Sequence, residues 1–171
     1  MTRAAGALLC FSLLLSAAIA APVPAPTPAP GPAANSAAVL AHGRYLVTIT
    51  GCNDCHTAGW RESDGNVPTR DWLTGSRVGF RGAWGTSYPT NLRIEFQIIA
   101  EDEWENAVGT RGVHSMMNWG DLRALTPADR HAIYAFVRSL GPAGAPSLPD
   151  VKPWVEPRTP YIDLRERLPQ H

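Results

Sequence analysis

The stretch TITGCNDCHT, residues 48–57, sets two cysteines and a histidine within five positions. On one helical turn Cys52, Cys55 and His56 stand at i, i+3 and i+4 and project from one side, with Asn53 and Asp54 turned outward. The residues before them read as a helix closed by Gly51. Asn35 or Ser36 supplies its cap, and Val39, Leu40, Tyr45, Leu46 and Ile49 recur at helical spacing.

Two thiols at this spacing are suited to bond the two vinyl groups of a haem, and the adjacent imidazole is then aimed at the iron, which makes the motif a c-type haem attachment site. A disulfide, a thioredoxin-like redox pair and a zinc site compete with this. The redox pair expects strands around its helix, whereas the flanks here are helical. Zinc needs a fourth ligand, and neighbouring Cys55 and His56 form an unusual ligand pair. The cofactor expected is one covalently attached haem c.

The rest of the chain bears on where such chemistry takes place. Residues 1–20 combine Arg3, an apolar run and the small-residue pattern Ala18-Ile19-Ala20, which is expected of a cleaved signal peptide. The run falls short of the ~20 residues of a spanning helix, so no transmembrane segment is expected in the mature chain, with an uncleaved N-terminal anchor as the alternative. Cleavage would remove Cys10, leaving Cys52 and Cys55 as the only cysteines in an oxidising periplasm. Residues 21–34 alternate Pro with small residues and form a tether. With 44% hydrophobic residues, one domain is expected over 35–141. A Pro-rich extension, 142–171, is expected to pack on it through Trp154, Tyr161, Ile162, Leu164 and Leu168. The net charge is zero and Lys152 is the only lysine beside fourteen arginines, so no basic tract points to nucleic acid or an anionic membrane.

Two further helices are legible. IIAEDEWENAVGTRG (98–112) offers Ile99, Trp104 and Val108 on one side. TPADRHAIYAFVRSLG (126–141) has Thr126 as cap, Pro127 in the first turn, Asp129 at the positive end and a buried face of Ile133, Phe136, Val137 and Leu140. Residues 57–98 are rich in turn formers and carry Trp60, Trp72, Phe80, Trp84 and Tyr88, which predicts loops packed around something large rather than a sheet. For the sixth position of the iron the chain offers Met116, Met117, His42, His114 and His131, with Met preferred.

Over residues 44–141 the chain resembles class I cytochrome c, in particular bacterial exported monohaem cytochromes. The motifs are GRYLVTITGCNDCHT (43–57), WLTGSRVGF (72–80), WGTSYPTNLR (84–93) and IYAFVRSLGP (133–142). The resemblance implies an all-α, cytochrome c-like fold, with three main helices around one haem, long loops and an extended C-terminal tail. It implies Met117 as distal ligand, from Met117-Asn118-Trp119 and the distance to Leu125-Thr126, although Asn118 stands where the family has Pro. It also implies a Pro68 carbonyl that accepts the His56 N–H, and a helix crossing at Gly43 and Tyr45. Trp84, Tyr88, Asn91 and Arg93 are expected near the haem propionates, which need donors. The implied function is one-electron transfer between redox partner proteins (a dehydrogenase, an oxidase or another cytochrome), not enzymatic catalysis. The alternatives are a cytochrome subunit docked to a larger dehydrogenase or oxidase, a gas-binding haem domain with a labile Met, and a peroxidase, although such enzymes usually carry two haems.

Overall fold

A computed structural model describes residues 36–112 and 116–165. The expected leader (1–20) and tether (21–34), and the residues Asn35, His114 and Leu168, lie outside the described residues.

Helix α1 (Ala37–Ile49) begins where Ser36 accepts the Val39 amide at 3.2 Å. Gly51, at φ 72°, reverses the chain into the short α2 (Cys52–His56). Helix α6 (Pro127–Ser139) opens with a capping box in which Thr126 and Asp129 each accept the other's amide, with Pro127 in the first turn. α1 packs on α6, and Leu46 and Val47 join Ile133, Tyr134, Phe136 and Val137 in the core. Gly43 sits at the crossing: a Cβ there would lie 2.0 Å from the Ala132 carbonyl oxygen and 2.7 Å from Phe136 Cβ. Only a residue without a side chain lets the two backbones approach this far. Tyr45, also expected at the crossing, instead stacks on His42 and is 57% exposed. It lies two residues, or about 200° of helix rotation, from Gly43 and so faces away from α6.

Between these helices come a 3₁₀ turn (Thr69–Asp71), β1 (Gly79–Gly82), β2 (Gly85–Ser87), α3 (Leu92–Ile98), α4 (Glu101–Thr110) and α5 (Trp119–Ala124), and β3 (Tyr161–Asp163) follows α6. Trp104 and Val108 of α4 are buried in the core, and the Tyr134 hydroxyl donates to the Ile99 carbonyl at 2.8 Å. The strands form a mixed sheet in the order β2-β1-β3. β1 and β2 pair as an antiparallel hairpin with Phe80 opposite Ser87, while β3 joins β1 in parallel with Ile162 opposite Phe80.

Six helices and a three-stranded mixed sheet among the described residues overturn the expected all-α fold of three main helices, and with it the loop assignment of residues 57–98. The strands are three or four residues long and punctuated by Gly79, Gly82 and Gly85, too short for an alternating pattern to register. One of them arrives from the far end of the chain.

The C-terminal extension is held mainly by hydrogen bonds. Thr86 and Val151 exchange backbone bonds of 2.8 Å each. Arg81, 4% exposed, donates to the carbonyls of Val155 (2.9 Å) and Pro153 (3.3 Å) and to the Thr86 hydroxyl (3.3 Å), with Glu156 at 3.3 Å. Of the apolar residues expected to anchor this segment, Tyr161 is half-buried with the Arg81 guanidinium over its ring, whereas Trp154 is 81% exposed, Ile162 49% and Leu164 38%. Among the described residues, no helix is long and apolar enough to cross a membrane.

An alanine in a helix normally gains up to about 1 kcal/mol over glycine. At position 43 the clash with the Ala132 carbonyl outweighs this, so Gly43→Ala is expected to lower stability by about 1–2 kcal/mol net in urea denaturation. A variant more stable than the wild type would contradict the close crossing.

Candidate functional site

Cys52, Cys55 and His56 occupy the single turn of α2, placed by the Gly51 reversal at the end of α1. Both thiols are half-buried and neither is in a disulfide. Cys52 packs against the core and meets the Thr50 hydroxyl at 3.3 Å. Burial raises both thiols above their ordinary value, opposed at Cys52 by the Thr50 bond and at Cys55 by the Arg61 charge. A thiol raised in this way is a poor thiolate nucleophile, the opposite of a thioredoxin-like redox cysteine.

His56 is buried, and its Nδ1 lies 2.7 Å from the Thr90 carbonyl oxygen. A carbonyl only accepts, so Nδ1 carries the proton and Nε2 keeps the lone pair. The His56 carbonyl in turn accepts the Gly75 amide at 2.7 Å. Thr90 therefore fills the role expected of Pro68, whose carbonyl instead closes the 3₁₀ turn by accepting the Asp71 amide at 2.8 Å. The sequence carries little signal for this, because a main-chain carbonyl has no residue type.

Asn53, expected outside, is fully buried. Its side-chain oxygen accepts from the Thr57 hydroxyl at 2.7 Å, and that hydroxyl accepts the Leu73 amide at 2.8 Å. This chain pins α2 to the loop beneath it. The i, i+4 spacing of Asn53 and Thr57 was the available clue. The Asn53 side-chain N–H₂ has no partner among the described residues.

Met117 is half-buried against the core, whereas Met116 is 49% exposed. Asn118 caps α5 by accepting the Gly120 amide at 3.2 Å. The other described candidate ligands have carboxylate partners: His42 with Asp129 at 2.7 Å and His131 with Glu101 at 2.8 Å.

The four residues expected around the propionates belong largely to the protein's own framework. The Tyr88 hydroxyl meets that of Thr159 at 2.7 Å. Asn91 donates to the carbonyls of Ala143 (2.8 Å) and Ala145 (2.9 Å) and caps α3. Arg93 donates to the carbonyls of Gly141, Leu140 and Arg70. The buried Trp84 indole N–H has no partner among the described residues.

Among the described residues, no three His, Cys, Asp or Glu side chains converge to hold one metal ion. Cys52 and Cys55, not joined to each other, and the adjacent His56 on the same turn are the donor types that a c-type haem would use for two thioether bonds and one iron ligand. No family model, curated protein or solved structure matches the chain.

Burial outweighs the Thr90 bond and lowers His56 below its ordinary value of 6.5. The unfolded chain then binds the proton more readily than the folded one, so this contribution to stability is full above about pH 6.5 and is lost as pH falls. In protein with no metal on His56, denaturation midpoints are expected to drop between neutral pH and about pH 5, and to drop less in His56→Gln. Equal slopes for the two proteins would contradict the buried neutral imidazole.

Proposed function

We propose that this chain is an exported monohaem cytochrome c that carries single electrons between redox partner proteins in the periplasm. One observation carries the proposal: two thiols not joined to each other and a buried imidazole, with its Nδ1 proton on a carbonyl, share one helical turn. Cys52 and Cys55 would hold the haem covalently, and His56 and Met117 would be its axial ligands. Haem so bound supplies one-electron exchange between ferric and ferrous iron.

His56 presents Nε2 as the donor, its basicity raised by the Thr90 carbonyl on Nδ1. Met117 is a soft, weak donor that favours ferrous iron, and its half-buried position supports it over the exposed Met116. The surrounding core, including Leu46, Trp72 and Leu73, excludes water and disfavours the extra positive charge of the ferric state. If His56 and Met117 both hold the iron, they would leave no place on it for a substrate, which suits a carrier rather than an enzyme. The partners consistent with this role are a dehydrogenase, an oxidase or another cytochrome.

The ferric protein is expected to show the weak near-infrared Met-to-iron band and to bind carbon monoxide slowly when reduced. Met117→Ala should abolish the band, lower the reduction potential and open the iron to carbon monoxide, and Met116→Ala should do none of these. The reverse pattern would move the ligand to Met116. Fast carbon monoxide binding and no band in the unmutated protein would replace electron transfer with gas binding.

A further inference from the structure

The carbonyl that accepts from His56 is itself held from outside the haem-attachment turn. Thr90 is followed by Asn91, which is 1% exposed and bonded on every polar side. Its amide donates to the Ser147 hydroxyl at 2.8 Å, its side-chain N–H₂ to the Ala143 and Ala145 carbonyls, and its side-chain oxygen accepts the Ile94 amide at 3.1 Å. Three of these four bonds run to the segment 141–147, where the end of α6 gives way to the C-terminal extension. Arg93 adds to the same attachment through the Leu140 and Gly141 carbonyls.

The opposite side is equally close. The Pro89 carbonyl accepts the Ser76 amide at 3.3 Å. A Cβ on Gly75 would lie 2.9 Å from the Pro89 oxygen and 3.0 Å from the Asn91 nitrogen. The peptide carrying the Thr90 oxygen is thus clamped between the 75–76 turn, which also binds the His56 carbonyl, and the extension. A Cβ on Gly144 would meet Thr74 at 3.0 Å and Asn91 Nδ2 at 3.1 Å, so the extension closes directly over this junction.

We propose that Asn91 is a positioning residue: through it, the segment 141–147 holds the Thr90 carbonyl against His56 Nδ1 and so sets the donor strength of His56 as an axial ligand. The statement about ligand strength rests on the function proposed above; the statement about the hydrogen bond does not. A firmly held acceptor on Nδ1 makes the imidazole a stronger donor and stabilises ferric iron. A loosened acceptor does the reverse.

The test uses the full-length protein with Ser147→Ala, Asn91→Ala, Ser147→Thr, which keeps the hydroxyl, and Ser36→Ala, which removes the α1 cap far from the junction. Solvent exchange of the ¹⁵N-labelled His56 Nδ1–H, read by NMR, is expected to be roughly tenfold faster in Ser147→Ala and Asn91→Ala than in wild type. Ser147→Thr and Ser36→Ala should match the wild type. In haem-bearing protein, the potential should rise in Ser147→Ala and Asn91→Ala and stay unchanged in the other two. Exchange in Ser147→Ala no faster than in Ser36→Ala overturns the positioning role, and this comparison decides the matter if Asn91→Ala fails to fold. Faster exchange with an unchanged potential overturns the effect on ligand strength. Protein isolated without haem sinks the cytochrome function, and the exchange rates still decide the hydrogen-bond claim.

Discussion

The hydrogen bond from His56 Nδ1 to the Thr90 carbonyl joins two parts of the chain that sequence order keeps apart. On one side is the α1–α2 unit, whose direction follows from the close crossing of α1 over α6 at Gly43. On the other is the loop after β2, anchored in the C-terminal extension by Asn91 and just after α6 by Arg93. The bond fixes which ring nitrogen bears the proton, and hence which one is left to bind a metal. With the Gly75 amide on the His56 carbonyl, side chain and main chain of this residue are held in one junction.

The extension shows how a segment with little buried apolar surface can still be ordered. Its large apolar residues Trp154, Val155 and Ile162 face solvent, while Arg81 reaches out of β1 to collect its carbonyls. A buried guanidinium is costly to desolvate, and removing its acceptors would leave the charge uncompensated. Order in the extension and burial of Arg81 are therefore mutually dependent. Parallel pairing of β3 with β1 adds main-chain bonds without requiring a long strand.

The long helices were legible because their signals are local. Ser36 and Thr126 are capping residues directly ahead of apolar residues at helical spacing, and Pro127 marks the first turn of α6. The turn Cys52–His56 was legible for the same reason, since its chemistry lies within five residues. The mixed sheet was not, because β1 and β2 are short and glycine-rich and β3 meets them only after the whole of α6. The inward turn of Asn53, the outward turn of Tyr45 and the choice of Thr90 over Pro68 likewise depend on tertiary neighbours, which helical periodicity and motif spacing do not encode. Asn91 and Arg93 were singled out as donors, and in the fold both donate to main-chain carbonyls that lie about 50 residues further along the chain, which no local pattern encodes.

The central claim is that Cys52 and Cys55 serve to hold a haem covalently. The most direct test is the intact mass of the purified protein after denaturation, followed by digestion to locate any adduct. The account predicts one haem retained on the peptide that contains Cys52, Cys55 and His56. A mature chain with these cysteines free, or joined as a disulfide, and no haem attached would contradict it.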